Sequence, residues 1–361
     1  MKKVLLITDV NFWEKSSGHR TRISSLVGYL AKHVKLTVVN TGPAPFEIEN
    51  ALVHRFNAEF FVLERTKYLN SNGYGRLLKA FLKNRHFDTI IIEYIHSSYF
   101  LNFLLEDAQV ILDTHDIISE RADEFKKFNY AGVLYELSKE TESEILKVYD
   151  HVMVLCQPDA DKVAAMTGAE KILLCPHPAS PMEHPIRDEA KNIAFIASDY
   201  VPNRDAITWF ISKCWPQISA KYNVQLSVYG TVSYEPDLKD QPQISNKGFT
   251  ADIDQVYEDA DIIINPVRFG AGLKIKNVEA LAHGLPLVTT THGARGIEKG
   301  INKAFLVADD AGSFIKSLAL LIENVTVRRK LRQNALEFIR KNFPEEKCFK
   351  PLLDAINKPT A

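Results

Sequence analysis

The stretch NPVRFGAGLKIKNVEALAHGLPLVTTTHGARG, residues 265–296, organises the reading of the whole chain. An apolar run, ADIIINPV at 260–267, leads into it and reads as a buried strand. Gly270, Ala271 and Gly272 then open a helix expected to run to about His283, where Gly284 stops it. LPLVTT at 285–290 returns as the next strand, and a second glycine loop, GARG at 293–296, follows. Short glycine loops after buried strands are where α/β proteins bind phosphorylated ligands. Backbone N–H groups can approach an anion there, and the helix N-terminus adds partial positive charge. Lys274 and Lys276 fall in the first turn or so of this helix, where the macrodipole disfavours cations. An anion resting on the loop removes that conflict. The plain alternative is two solvated lysines, with Lys276 paired to Glu279 at i,i+3 for about 0.2–0.5 kcal/mol.

The length of 361 residues suits two domains or one large α/β domain. Shares of 46% hydrophobic and 25% charged residues are those of an ordinary globular protein. A net charge of −1 argues against nucleic acid as a partner, so any anion site is local. Cys156, Cys175, Cys214 and Cys348 are scattered without metal-ligand spacing and read as reduced thiols of a cytoplasmic protein. MKK at 1–3 followed by VLLI at 4–7 has the outline of a signal start. Asp9 interrupts that apolar run, so it reads as a first strand. No stretch is long and apolar enough to span a bilayer.

In chain order, 4–10 is a short buried strand, and the polar loop 11–17 leads to GHRTR at 18–22. A helix follows through about Lys32, with Ile23, Leu26, Val27 and Leu30 on one face, and 34–40 is the next strand. This βαβ opening lacks G-x-G-x-x-G, which weakens a nicotinamide dinucleotide reading. Segments 52–56, 88–95, 109–113, 152–156 and 171–175 read as strands, 74–85 as an amphipathic helix and 125–148 as one long helix. The strand at 109–113 ends in THD at 114–116, at the carboxyl edge where α/β sites form. PHPASPMEHP at 176–185 is the linker, since its four prolines exclude regular structure. A second α/β unit starts with strand 192–198, turn 199–203 and a helix from near Arg204. Strand 224–230, a short strand closed by Gly248 and Phe249, and helix 252–259 follow. Beyond residue 296 come strand 304–308, one long polar helix at 311–342, a break at Pro344 and a terminal helix at 345–356. Two α/β units on a proline-rich linker leave a cleft with glycine loops on both walls. That suits an enzyme that closes on a phosphorylated substrate and excludes water.

These residues resemble the retaining GT-B glycosyltransferases of family four (glycosyl transferases group 1), in the bacterial polysaccharide and lipopolysaccharide type. The likeness rests on GHR at 18–20, DTHD at 113–116, FIASDYVPN at 195–203, GF at 248–249 and, most specifically, GAGLKIKNVEALAHGLP at 270–286. The fold it implies is α/β, GT-B, with two Rossmann-like domains facing a central cleft. Residues 1–177 would be the acceptor domain, 178–342 the nucleotide-sugar donor domain, and 343–361 a C-terminal helix crossing back to the first.

The resemblance also implies roles. Gly18 lies in the first glycine loop, near the donor diphosphate. His115 matches the active-site histidine of the D-x-H-[DN] segment. Phe249, with Gly248, matches the turn that backs the nucleobase. Glu279 matches the second glutamate of the E-x7-E element, which accepts the nucleotide ribose hydroxyls. An ionised carboxylate, being acceptor-only, suits that task. Ala271 stands where the first glutamate would be. Arg204 stands where many members have a diphosphate-binding lysine, and Ser198 where many have an arginine, so Lys274 or Lys276 would supply the missing charge. The implied reaction moves a sugar from a nucleoside-diphosphate sugar to a hydroxyl of a glycan or lipid-linked glycan, with anomeric configuration retained. Arg204, Lys274 or Lys276, and the N–H groups of Gly18 and Ala271–Gly272 would stabilise the leaving diphosphate. The nucleotide sugar is a co-substrate, and no cofactor or metal is implied, since no Asp-x-Asp cluster is present. His115 would bond a hydroxyl of the donor sugar; its plain alternative is a structural histidine on a strand-end carbonyl. Asp116 would fix the imidazole tautomer or cap the next helix. His96 takes only a structural reading.

The helix at 74–85, with basic Arg76, Lys79, Lys83 and Arg85, has two readings: peripheral contact with the cytoplasmic face of the inner membrane, or an ordinary helix covering the sheet. The second is preferred. Three rival functions remain: a GT-B nucleotide-sugar epimerase or hydrolase, a non-catalytic glycosyltransferase-like binding subunit, which Ala271 keeps open, and, least favoured, a nicotinamide oxidoreductase.

Overall fold

Near-continuous runs of Ile, Leu and Val form strands that helices cover on both faces, as parallel sheets require. The computed structural model describes residues 1–14, 17–105, 107–130, 135–235, 238, 241–250 and 252–358. In the first half, β1 (Lys3–Thr8), β2 (Lys35–Asn40), β3 (Glu59–Val62), β4 (Thr89–Glu93), β5 (Gln109–Asp113), β6 (His151–Val154) and β7 (Ile172–Leu174) form one sheet. Its order is β3-β2-β1-β4-β5-β6-β7, and every pairing is parallel. In the second half, β8 (Asn192–Ile196), β9 (Gln225–Tyr229), β10 (Ile244–Gly248), β11 (Ile262–Asn265), β12 (Leu287–Thr289) and β13 (Leu306–Val307) form another. Its order is β10-β9-β8-β11-β12-β13, again parallel. Each sheet reverses its strand order once, between β1 and β4 and between β8 and β11. Those switch points are where crevices open at the carboxyl ends of the strands. The α/β two-sheet architecture expected from the chain is therefore present.

The helices position the site. α1 (Gly18–His33) leaves the end of β1, and α2 (Ile48–Phe56), α3 (Ser71–Leu82), α4 (Ile118–Lys127), α5 (Lys139–Val148) and α6 (Gln157–Thr167) complete the first half. α7 (Val201–Lys213), α8 (Trp215–Lys221), α9 (Ile253–Asp259), α10 (Ile275–Ala282), α11 (Ala311–Glu323) and α12 (Val325–Asn342) serve the second. α13 (Glu345–Asn357) returns to the first half. There Phe349, Leu352, Ala355 and Ile356 join the core built by Val4, Leu6, Ile23, Leu26 and Val27. Burying each such side chain contributes about 1.5–3 kcal/mol, which ties the end of the chain to its beginning.

Four expectations need correction. Residues 52–56 are not a strand but the end of α2, which Asn57 stops in a left-handed conformation; the edge strand is β3, paired with β2. Glu49 on α2 accepts from the Val62 amide at 2.7 Å, so helix and strand define each other through a tertiary contact. The expected helix at 125–148 is two: α4 ends at Lys127, and Ser138 caps α5 by accepting from the Thr141 amide. Residues 131–134 of that segment lie outside the described residues. The expected helix at 311–342 is also two, because Asn324 accepts from the Val327 amide and starts α12 afresh. Arg328 then donates to the carbonyls of Leu321 and Ile322, satisfying the end of α11. The helix after Gly270–Gly272 begins only at Ile275, with Lys274 at its N-cap. Among the described residues, no helix is long and apolar enough to cross a membrane.

Candidate active site

The first wall of the cleft is the carboxyl edge of the first sheet. β4 ends at Glu93 and β5 at Asp113, neighbours in register. Both carboxylates are fully buried. Arg22 on α1 reaches across to Asp113, with Nε and Nη2 at 3.0 and 2.9 Å from Oδ2, and its Nη1 donates to the Cys175 carbonyl at 2.9 Å. His115 Nε2 lies 2.6 Å from Glu93 Oε2. The His115 ring stacks on Tyr94 with centroids 4.1 Å apart and planes 8° from parallel, and Tyr94 stacks in turn on His96. His96 bonds Asp9 at 2.9 Å. Tyr94 and His115 both have positive φ, 65° and 59°. For bulky residues this conformation is uncommon and costs energy, and such positions cluster at functional sites.

The second wall is the loop between β11 and α10. Gly270 and Gly272 have φ of 110° and 72°, which side-chain-bearing residues rarely adopt. A Cβ on Gly272 would sit 2.9 Å from the His115 carbonyl oxygen, and one on Gly18 would sit 3.2 Å from Ile275 Cβ. The first residues of α1 and α10, Gly18 and Ile275, therefore pack against each other, and the glycine loop before α10 packs against the His115 backbone. Two positively polarised helix ends converging on one space make an anion site.

The two lysines differ. Lys274 Nζ donates to the carbonyls of Ala271 and Gly272 at 3.0 and 2.9 Å, which closes the glycine loop on itself. Burial, aided by the Arg295 charge, lowers its pKa to about 8. Lys276 Nζ donates to Asn203 Oδ1 at 2.9 Å and lies over the Phe195 ring. Burial, and then the Lys274 charge, lowers its pKa to about 7. The i,i+3 pair open to Lys276 and Glu279 does not form. Glu279 instead accepts from the Tyr257 hydroxyl at 3.0 Å through Oε2. Burial holds its carboxyl above the usual carboxylate range.

The remaining expected site residues have partners of their own. Arg204 turns toward Asp199 at 3.1 Å and Glu235 at 3.8 Å, half exposed on the outer side of α7, and no contact joins it to Lys274 or Lys276. Asn203, its neighbour, is the α7 residue that meets Lys276. One helical residue is a turn of about 100°, enough to send adjacent side chains to different faces. Ser198 is exposed, and its carbonyl accepts from Asn203 Nδ2 at 3.0 Å. Phe249 is 52% exposed at the end of β10, beside Gly248, whose backbone approaches the Tyr234 hydroxyl. His115 bonds a buried carboxylate rather than the carbonyl of its plain alternative. Asp116 bonds Arg121 at 3.0 Å and is not a partner of the imidazole.

Glu93, Tyr94, Arg22 and Asn203 went unread in the sequence. Glu93 carried a usable signal: it ends the apolar run TIII at 89–92, just as Asp113 ends its own strand. Glu93, Asp113 and His115 bring ligand-type atoms within 4.8 Å of one another, the group among the described residues with that spacing. Arg22 sits on Asp113 and opposes a cation there, so the cluster is an ion-pair network. Contacts between the halves fix the cleft. Arg295 binds both oxygens of Glu120 at 2.8 Å and pairs with Asp159. Phe269 stacks on Phe128, and the Tyr130 hydroxyl donates to Asp205.

Comparison with known proteins bears on this arrangement. Residues 190–324 match the family described as Glycosyl transferases group 1. An uncharacterized 44.6 kDa protein in the cps region of Klebsiella pneumoniae is 23% identical over 301 residues, covering 75% of each chain. S. aureus TarM, solved in complex with alpha-GlcNAc-glycerol and UDP, superposes with a TM-score of 0.78 at 12% identity, covering 99% of this chain and 100% of that one. WaaG, a glycosyltransferase involved in lipopolysaccharide biosynthesis, gives 0.66 at 15% identity, covering 99% and 100%. Likeness at such identities establishes the fold, which is GT-B. With the family match over 190–324, it supports a GT-B glycosyltransferase.

Proposed function

We propose that the protein transfers a sugar from a nucleoside-diphosphate sugar to a hydroxyl of a glycan or glycolipid, with retention, in cell-surface polysaccharide biosynthesis. The observation that carries this reading is the packing of the α1 N-terminus against that of α10, with the Gly270–Gly272 loop against His115. A diphosphate leaving group gathers negative charge as its bond to the sugar breaks. Preorganised N–H groups at Gly18 and Ala271–Gly272, with Lys276, stabilise that charge without reorganising. Lys274 acts mainly by holding the loop in shape. Glu279, with Oε2 taken by Tyr257, keeps Oε1 for the ribose hydroxyls. His115 meets the donor sugar. No step needs a divalent metal. Contact of the α3 face with a membrane surface remains the lesser reading of its basic residues.

A thermal-shift screen with UDP, GDP, ADP, TDP and CMP tests the donor site. The matching diphosphate should stabilise the protein by about 2.7 kcal/mol at a hundredfold excess over its dissociation constant. Glu279→Ala should lose most of that shift. No shift with any nucleotide, or an undiminished shift in the variant, removes the ribose role and favours a binding subunit. Release of free nucleotide that a glycan acceptor does not stimulate would instead favour an epimerase or hydrolase.

Proton uptake gives a second test. Without ligand, burial pushes the pKa of Lys276 down to about 7 and that of Lys274 to about 8. A bound diphosphate stabilises both ammonium forms and raises both values. Below about pH 6 both lysines are charged already, so affinity is nearly flat there; above it, binding takes up protons and affinity falls as pH rises toward about 9. Titration calorimetry in HEPES and in Tris, whose ionisation heats differ, measures the uptake. Equal affinity across that range without uptake would exclude both lysines from the anion site.

A further inference from the structure

We infer that Glu93 is a positioning residue for His115: it takes Nε2, and the buried Arg22–Asp113–Glu93 cluster retains one proton on the Glu93–His115 pair, so that His115 faces the cleft as an imidazolium offering Nδ1–H. Its use in catalysis rests on the transfer reaction proposed above; its chemistry concerns this chain alone.

The cluster is sealed. Glu93 and Asp113 are fully buried, and His115 is 8% exposed. Arg22, also fully buried, remains charged in any protein environment. Two carboxylates and one guanidinium leave a single negative charge, and an uncompensated charge in the interior is costly. One proton on the Glu93–His115 pair removes it. Glu93 Oε1 and Asp113 Oδ1 have no hydrogen-bond partner among the described residues, so charge rather than bonding must compensate them.

Burial and the Asp113 charge raise the Glu93 pKa as well, so Glu93 competes for the proton, and three arguments favour the ring. Imidazole is intrinsically the stronger base of the pair. The Tyr94 ring lies flat against His115 at 4.1 Å, and a π face favours a cation. Burial opposes the charged ring, but the Asp113 charge and the Glu93 hydrogen bond outweigh it and raise the His115 pKa. The groups facing His115 are Arg22 and His19 from α1, Glu93 and Tyr94 from the end of β4, and Asp113 and Asp116 from the end of β5. From the second half, Gly272 approaches, with Lys274 beyond it. His19 is the counterpart: burial and then the His115 charge lower its pKa to about 4, so it stays neutral beside a charged neighbour. With Nε2 held by Glu93, Nδ1 is the ring nitrogen left to meet a ligand oxygen.

Imidazole 15N NMR on protein labelled at histidine tests this without any substrate. His115→Gln identifies the signals by deleting them. In the unmodified protein, both His115 nitrogens should be protonated at pH 7.5. E93Q should shift the midpoint of the transition to lower pH, and E93D, which withdraws the charge by one methylene, should shift it the same way by less. A neutral ring at pH 7.5, or a midpoint unchanged in E93Q, overturns the inference. Selective movement of the His115 signals on adding Mg2+ or Zn2+ also overturns it, by making the cluster a cation site. Should E93Q not fold, the unmodified spectrum and E93D still decide. Failure of the nucleotide screen leaves this result untouched, so the two readings fail separately.

Discussion

His115→Ala should lower turnover by about 10²- to 10³-fold while nucleotide affinity stays within about twofold, as for loss of a group that acts mainly in the transition state. The imidazole stands between two walls of the cleft. Its Nε2 is fixed by Glu93, its face by Tyr94, and its own carbonyl oxygen lies where a Cβ of Gly272 would touch it. A ring held at one nitrogen and one face loses little freedom when a substrate arrives, so in the proposed reaction its contribution falls on the reacting sugar and leaving group. In the transfer reaction proposed above, the nucleotide is held elsewhere, by the glycine loop, Lys276 and Glu279. Steady-state kinetics with the sugar of the nucleotide selected by the screen, together with titration calorimetry using that diphosphate, separates the two effects. Full turnover would make His115 a structural residue. A parallel loss of turnover and nucleotide affinity would place it in ground-state binding instead.

Arg22→Met should cost about 3–5 kcal/mol of folding stability, the range for breaking a buried ion pair by removing one partner. Arg22 contacts Asp113 Oδ2 through both Nε and Nη2, donates to the Cys175 carbonyl after β7, and lies 5.9 Å from the centre of the Phe349 ring on α13. It thus joins α1, two strand ends and the returning terminal helix. Methionine matches much of its length but leaves two carboxylates facing one proton. Urea denaturation gives the loss directly. R22M paired with Asp113→Asn should recover part of it, because the orphaned charge goes with the second change. A loss below about 1 kcal/mol would show that water reaches the cluster and screens it.

These two experiments concern the part of the site that was least legible in the chain. Alternation of apolar runs with amphipathic segments was enough for two parallel sheets, because a strand covered on both faces must be apolar throughout. The glycine loop at 270–272, the cleft, His115 and the returning helix at 345–356 were legible for a related reason: glycine, proline and strand-end polar residues leave marks within a few positions of where they act.

The errors have a common cause. Residues 52–56 suit a strand by composition, yet fold as helix: Glu49 accepts from the Val62 amide outside that window, and the Asn57 amide closes the helix on the Val53 carbonyl. The starts of α5 and α12 depend on single side-chain caps, Ser138 and Asn324, whose periodic neighbours mask them.

Which partner each cation meets was decided by side-chain direction. Arg204 and Asn203 are adjacent in sequence, but only Asn203 meets Lys276, while Arg204 is held by Asp199 and Glu235. Lys274 and Lys276 look equivalent in the chain, yet one closes its own loop and the other reaches α7. The charge on His115 depends on Glu93, 22 residues away, and on Arg22 and Asp113, brought together by the β1–β4–β5 order of the sheet. Local pattern determines which elements form, because propensity and burial act over a few residues. Protonation and side-chain partnership depend on low-dielectric contacts between distant strands, and only the folded sheet makes those.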